Sequence, residues 1–210
     1  MTTATYSDKI AKALLDIQAV FLRPHDPFTW ASGLKSPIYC DNRLTISYPE
    51  VRDLIAEGFV ELIKEKYGDV DVIAGAATGG VPHAAWVAQK LNKPMIYVRS
   101  SAKKHGKQNL VEGMLKEGQT VVIVEDLIST GGSVLKVVDG VREAGGVVKG
   151  VAAIFSYQFD KATENFAAAH CPFATLSNYS ALLPIAVREN YVKPEDVGLL
   201  EKWRQNPEQF

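Results

Sequence analysis

The chain lacks an excess of charge of either sign. Its 23 Lys and Arg residues balance 24 Asp and Glu residues, and the formal net charge is −1 over 210 residues. We therefore expect no long-range field that attracts nucleic acid or an anionic membrane, so an anion site must come from a local group of basic residues. No apolar run reaches the roughly 18 residues of a membrane span. The first residues also lack the layout of a signal peptide.

Cysteine is scarce as well. The two cysteines, Cys40 and Cys171, are far apart and lack metal-ligand spacing, which predicts reduced thiols in a cytoplasmic protein. The chain shows no repeat of fixed period and no low-complexity segment. Its apolar fraction of 47% suits one domain with a sizeable core, and we expect residues 1–210 to form a single domain.

The most informative stretch runs from Val121 to Ser133. Its first four residues are apolar and predict a strand buried on both faces, as in a parallel sheet. Glu125 and Asp126 follow at once, at the end of the strand where open α/β sheets bind ligands. The turn from Thr130 to Ser133 then leads into a predicted helix and offers backbone N–H groups and hydroxyls to a phosphate. Carboxylates beside a phosphate-binding turn indicate a sugar phosphate.

Strands and helices alternate along most of the chain. The predicted strands are 70–74, 95–98, 120–124, 147–155 and 173–176, and the predicted helices are 49–67, 80–91, 134–144, 161–170, 180–190 and 194–206. This alternation predicts an α/β fold with a mostly parallel sheet and helices on both faces. An apolar stripe predicts a helix from Ser7, its N-cap, to about Val20. We expect the first forty-odd residues to form a separate lid near the carboxyl edge of the sheet.

A basic segment, Arg99 to Asn109, follows one of the predicted strands. It holds five potential cations and no acid. Because it begins after a sheet strand, it starts at the same edge as the acidic pair. Lys and Arg side chains neutralise the negative charge that develops on a phosphate leaving group. The segment therefore predicts a binding site for a diphosphate.

The stretch around Glu125 and Asp126 resembles the phosphoribosyl-diphosphate (PRPP) motif of the type I phosphoribosyltransferases. The resemblance implies that the two carboxylates bind the ribose 2- and 3-hydroxyls and that the turn binds the 5-phosphate. The PRPP-binding residues that it implies here are Glu125, Asp126, Leu127, Ile128, Ser129, Thr130, Gly131, Gly132 and Ser133. Asp126 is also an expected catalytic residue, and Mg²⁺ is the expected cofactor, held mainly by PRPP and water.

A second resemblance concerns the segment Phe28 to Arg43, which contains Ser-Gly-Leu-Lys-Ser-Pro. It is similar to the hood of orotate phosphoribosyltransferases. It implies a hood of about residues 1–48 over a core of about residues 49–210. It also implies that Lys35, Tyr39 and Ser129 bind orotate.

The basic segment is similar to the catalytic loop of the same family, since Arg99, Lys103, His105 and Gly106 match its pattern. The resemblance implies that Arg99, Lys103 and His105 bind PRPP, with Lys103 catalytic. It further implies a homodimer in which each loop closes over the partner's site. The expected enzyme is cytoplasmic and binds neither nucleic acid nor membrane.

Three departures from the family stand out. Some members carry Tyr-Lys where this chain has Thr78-Gly79, and some carry Lys in place of Ala31. Some have an Arg that meets the orotate carboxylate in the region that corresponds to residues 156–160, where this chain has Ser-Tyr-Gln-Phe-Asp and no Arg. The carboxylate partner is thus open between Lys35, Arg43 and backbone N–H groups. Two alternatives also remain open: a transferase for another base, and a PRPP-responsive regulator of the same fold that binds nucleic acid.

Overall fold

The computed structural model describes residues 3–30, 33–99 and 110–210. Its N-terminal part consists mostly of short elements. They are helix α1 (Thr3–Asp16), strands β1 (Val20–Leu22), β2 (Phe28–Thr29), β3 (Lys35–Ser36) and β4 (Ile38–Cys40), a 3-10 helix (Asn42–Ser47) and helix α2 (Pro49–Lys66). Strand β1 pairs with β4 and β2 pairs with β3, both antiparallel.

The remainder alternates strands and helices, as predicted. In chain order these are β5 (Val72–Ala76), α3 (Gly80–Leu91), β6 (Met95–Val98), β7 (Val111–Glu112), β8 (Thr120–Ile128), α4 (Gly132–Glu143), β9 (Val147–Ser156), α5 (Asp160–Ala168), β10 (Phe173–Asn178), α6 (Tyr179–Arg188) and α7 (Val197–Gln205), with 3-10 helices at Pro194–Asp196 and Pro207–Gln209. Within the described ranges, no helix combines the length and apolar character that crossing a membrane requires.

The central sheet has the strand order β10-β9-β8-β5-β6-β7. Neighbouring strands are parallel except for β7, which runs antiparallel to β6. The order reverses between β5 and β8, because β6 lies on one side of this pair and β9 on the other. Open α/β sheets bind ligands at such a switch point, outside the carboxyl ends of the strands. The fold therefore places a binding site where β5 and β8 end.

Strand β8 shows why the sheet is covered on both faces. Val122 and Val124 pack into a core shared with α1, α2, α3 and α6, whereas Val121 and Ile123 pack into a second core with α4 and α5. All four side chains are fully buried, which accounts for an uninterrupted apolar run rather than an alternating one. The predicted α/β class with helices on both faces is confirmed.

Helix α1 differs from the prediction in position and in packing. It spans Thr3–Asp16, so Ser7 lies inside the helix and is not its N-cap. The predicted apolar stripe at Ile10 and Leu14 is fully buried in the core that also holds α2 and α6. The expectation of a separate lid is therefore wrong for α1, and it stays a prediction for the segment with β1 to β4, which stands outside the central sheet.

Strand β8 is longer than the prediction, which ended it at Val124. It continues through the acidic pair, with Glu125 opposite Ala153 and Leu127 opposite Phe155 on β9. The extension forms because β9 has 10 residues and offers hydrogen-bond partners that far. Glu125 and Asp126 are consequently strand residues whose directions are set by the sheet.

Candidate active site

Glu125 points into the protein. Its side chain is buried, and one of its carboxyl oxygens accepts a hydrogen bond from the Asp126 backbone N–H at 2.8 Å. Burial, followed by the neighbouring Asp126, raises the pKa of Glu125 to about 9. Glu125 is therefore protonated at neutral pH in the protein without ligands, and the acidic pair carries less than two negative charges.

Asp126 is partly exposed and points toward the loop that follows β5. Its carboxylate lies against the backbone of Gly79, where a Cβ atom would overlap it. Glycine at this position is thus what lets the loop between β5 and α3 approach the acidic strand. The departure noted at Thr78-Gly79 has a structural reason here, because a side chain at Gly79 would displace Asp126.

Asn42 connects the N-terminal segment to the acidic strand, a role that sequence reasoning missed. Its side chain is buried, and its Nδ2 donates to the Asp126 main-chain carbonyl at 2.6 Å. Its Oδ1 accepts from the Cys40 thiol at 3.3 Å. Thr45 donates to the Asn42 carbonyl at 2.6 Å, and its hydroxyl lies 3.2 Å from Nε2 of His83 on α3. A short hydrophilic residue beside Asp41 carried no pattern that would have singled it out.

The turn after β8 is shaped by Gly131. This residue has φ +79°, and a Cβ atom on it would lie 2.6 Å from the Phe166 ring. Helix α4 begins directly after it without a side-chain cap, and the amide of Leu135 bonds back to the Gly131 carbonyl at 3.0 Å. The amides that precede Leu135 have no carbonyl one turn earlier in the helix, so together with the helix dipole they suit an anion at this position.

Two of the three predicted orotate residues, Lys35 and Tyr39, lie on strands of the N-terminal segment. Lys35 on β3 is exposed, and its ammonium group donates to the Thr29 hydroxyl at 2.9 Å. Tyr39 on β4 is 40% exposed, and its ring centroid lies 5.6 Å from that of Phe28. The Arg43 guanidinium group donates two hydrogen bonds to the Asp41 carboxylate, at 2.6 and 2.9 Å, so its charge is already paired within the N-terminal segment.

A cleft of about 790 Å³ lies between the turn after β8, the N-terminal segment and the C-terminal residues 204–208. Ser129 and Thr130 line it from the turn, and Trp30 and Leu34 line it from the segment. Arg204, from helix α7, also lines this cleft and donates to the Gln158 carbonyl at 3.4 Å. The structure thus brings Ser129 together with the loop that leads to Lys35.

Arg99 marks the start of the basic loop. Its backbone N–H donates to the Leu110 carbonyl at 2.9 Å, beside the pairing of β6 with β7. Its guanidinium group lies 3.6 Å from the Glu112 carboxylate. Lys103 and His105, the other two predicted loop residues, lie outside the described residues.

Comparison with known proteins agrees with this geometry. A family model for the phosphoribosyl transferase domain matches residues 47–179. The chain is 57% identical over 202 residues to the orotate phosphoribosyltransferase of Enterococcus faecalis, and the match covers 96% of each chain. The chain belongs to the orotate phosphoribosyltransferases. This membership confirms the predicted family, and it favours orotate over another base and over a nucleic-acid-binding regulator.

Solved structures of the family have the same fold. The orotate phosphoribosyltransferase of Aeropyrum pernix is 30% identical with a TM-score of 0.75, covering 84% of this chain and 97% of that chain. The Mycobacterium tuberculosis orotate phosphoribosyltransferase in complex with PRPP is 25% identical with a TM-score of 0.65, covering 83% of this chain and 97% of that chain. The type I phosphoribosyltransferase-like fold predicted from the sequence is therefore confirmed.

The region after β9, where some family members have an Arg, holds an aromatic cluster in this chain. Tyr157 stacks on Trp30 with ring centroids 5.2 Å apart, and Phe159 and Trp203 pack around both rings. The intervening Gln158 turns away, since its side-chain oxygen accepts two hydrogen bonds from Ser180.

The burial of Glu125 generates a prediction about pH. The folded protein keeps the Glu125 proton up to about pH 9, whereas the unfolded chain releases it near pH 4.5. The stability that neutral Glu125 contributes is therefore complete below about pH 4.5 and is lost as pH rises toward about 9. We expect the free energy of unfolding of the unmodified protein to fall relative to that of Glu125→Gln across this range, by up to about 1.4 kcal/mol per pH unit. Urea unfolding at a series of pH values measures it, and parallel curves would contradict it.

The contact of Gly79 with Asp126 generates a second prediction. Gly79→Ala places a methyl group where the carboxylate lies, so we expect the KM for PRPP to rise about tenfold or more, equivalent to about 1.4 kcal/mol or more. The matched control is Gly198→Ala on α7, where nothing lies within 4 Å of the added Cβ. Steady-state kinetics with PRPP as the varied substrate measure the change. An unchanged KM in a folded Gly79→Ala protein would show that the position of Asp126 does not matter for PRPP.

Proposed function

We propose that the edge formed by β8 and the start of α4 binds PRPP in this orotate phosphoribosyltransferase. The enzyme transfers the phosphoribosyl group of PRPP to orotate, which gives orotidine 5'-phosphate and diphosphate in pyrimidine (UMP) biosynthesis. The observation that carries the proposal is that the Asp126 carboxylate and the uncapped start of α4 lie at the same edge of the sheet, at the carboxyl end of β8. A sugar phosphate has hydroxyls for the first and a phosphate for the second.

Within this site, Asp126 accepts hydrogen bonds from the ribose hydroxyls. Glu125 holds Asp126 in place through the hydrogen bond that its carboxyl oxygen accepts from the Asp126 backbone N–H. Residues Leu127 to Ser129 lead to the turn, and Thr130 to Ser133 hold the 5-phosphate. The exposure of Thr130 and Ser133 supports this role, because their hydroxyls face solvent beside the open amides of α4. Positive charge develops at the ribose C1 during transfer, so a carboxylate at Asp126 stabilises the transition state.

Orotate binds between the turn and the N-terminal segment, against Lys35, Tyr39 and Ser129. Three features support this placement: the ammonium group of Lys35 is exposed, the ring of Tyr39 is partly exposed, and Ser129 lines the cleft. An exposed cation suits the anionic pyrimidine, and a tyrosine ring packs on its face. Because Arg43 is paired with Asp41, Lys35 is the better partner for the orotate carboxylate.

The loop that begins at Arg99 stabilises the diphosphate leaving group, with Lys103 and His105 as its other functional residues. Negative charge on the diphosphate increases as the bond to C1 breaks, so cations positioned there act mostly in the transition state. Lys103 is the residue that we assign to proton donation or sharing. The position of Arg99 at the carboxyl end of β6 supports the assignment of this segment to the leaving group, because β6 ends at the same edge of the sheet as β8.

Mg²⁺ accompanies PRPP in this proposal. The residues present fit the ion, because Mg²⁺ commonly takes one or two carboxylates and completes its shell with substrate phosphates and water. Asp126 is the carboxylate that would hold it. The ion supplies charge neutralisation for the diphosphate.

The enzyme is a cytoplasmic homodimer in which each basic loop serves the partner's site. The edge position of β7 supports loop sharing, since Val98 at the end of β6 and Val111 at the start of β7, which flank the basic segment in the sequence, are paired at the outer margin of the sheet. Cys40 and Cys171 are both buried and unpaired, which agrees with a reducing compartment.

Two variants test the division of the site. Asp126→Asn removes a charged acceptor, a loss of about 1.5–3 kcal/mol, and we expect PRPP handling to weaken roughly tenfold to a hundredfold. Lys35→Ala should raise the KM for orotate and leave the KM for PRPP nearly unchanged. Loss of orotate absorbance in the presence of PRPP and Mg²⁺ reports both. Normal PRPP kinetics in a folded Asp126→Asn protein would contradict the assignment.

Loop sharing has a test of its own. Lys103→Ala and the double variant Asp126→Asn,Thr130→Ala each damage a different half of the site. If subunits exchange, a mixed dimer holds one site built from two intact halves, so we expect part of the activity to return on mixing. No recovery, with mixed dimers demonstrated by mass spectrometry, would show that the loop acts within its own subunit.

A further inference from the structure

The N-terminal segment packs against a part of the chain that the family match does not include. The match covers residues 47–179, so β1 to β4 precede it and α7 follows it. Despite this distance in sequence, Trp203 of α7 and Trp30 between β2 and β3 have ring centroids 5.9 Å apart at an angle of 88°. The two ends of the chain therefore meet over the cleft that Ser129 and Thr130 line.

Trp203 is the centre of this contact. Its side chain is 1% exposed, and its ring packs edge-on against Tyr157 at 6.0 Å and Phe159 at 5.3 Å. Its indole N–H donates to the main-chain carbonyl of Lys35 at 3.2 Å. The hydrogen bond reaches the backbone of β3 directly at the residue that we assign to orotate.

A second contact joins the same two parts of the chain. His25, in the loop between β1 and β2, lies 2.7 Å from the carboxylate of Asp196, which is buried at the start of α7. The hood is thus attached to the C-terminal segment both before β2, at His25, and at β3, through Lys35. Two short strands with few residues of their own in the core depend on such contacts for a fixed position.

We propose that Trp203 is a positioning residue for orotate, which holds the backbone of β3 at Lys35. The inference rests on the proposed role of Lys35 in binding orotate. Trp203 does not itself touch the substrate; it fixes the backbone of the residue that does. Losing the indole N–H should therefore affect orotate and leave PRPP, which binds on β8 and α4, largely unaffected.

Trp203→Phe tests this, because it keeps an aromatic ring in the cluster and removes the donor to Lys35 together with part of the indole. We expect the KM for orotate to rise about fivefold to tenfold while the KM for PRPP stays within about twofold. The matched control is Tyr67→Phe, which likewise removes one buried donor to a main-chain carbonyl, that of Val151 at 2.7 Å, away from the hood. The control should lose stability without any change in either KM.

Lys35→Ala and the double variant Lys35→Ala,Trp203→Phe complete the experiment. If Trp203 acts through Lys35, the double variant has the same KM for orotate as Lys35→Ala alone. Additive effects would overturn the inference. A normal KM for orotate in Trp203→Phe would also overturn the inference. If Lys35→Ala raises the KM for orotate in the same series, the proposed orotate site still stands. If neither single variant changes it, the proposed site fails as well.

Discussion

The hydrogen bond from the Asn42 amide to the Asp126 carbonyl joins the two halves of the active site. It is short, 2.6 Å, and its donor is buried and held in turn by Cys40 and Thr45. On one side of it lies the hood with Lys35 and Tyr39, and on the other lies the acidic strand. This bond fixes the position of the residues proposed for orotate relative to those proposed for PRPP. A reaction between two bound substrates requires such a fixed relative position.

The electrostatics of the site follow from the same strand. Neighbouring residues of β8 point to opposite faces, so Glu125 is buried and neutral at pH 7 while Asp126 faces the loop with Gly79. Two described arginines near the site are already engaged, Arg43 with Asp41 and Arg99 with Glu112. We therefore expect rearrangement of Arg99, together with the basic segment that follows it, to contribute positive charge for a diphosphate.

The sequence predicted those parts of the fold in which a local pattern has a physical cause. The apolar run from Val121 to Val124 predicted a central strand because both faces of that strand are covered, and Met95–Val98 was predicted at its observed bounds. The end of β8 was not predictable, since Leu127 and Ile128 extend the strand only because β9 is there to pair with them.

The parts of the site that depend on contacts distant in sequence were missed for the same reason. Strand β7 has two residues and no periodicity. Asn42 and Trp203 act through partners 84 and 168 positions away, which no pattern within the chain reveals. The acidic pair and the turn were found because a sugar phosphate requires both elements within a few residues of each other.

We expect Asn42 to set the position of Asp126, and with it the binding of PRPP. Calorimetric titration of PRPP into Asn42→Ala, with Tyr67→Phe as a control that removes a buried bond to a different strand carbonyl, measures this directly. We expect Asn42→Ala to weaken PRPP binding about tenfold or more, although Asn42 is not among the residues proposed to touch PRPP, and Tyr67→Phe to bind PRPP normally. An unchanged Kd in a folded Asn42→Ala protein would contradict it.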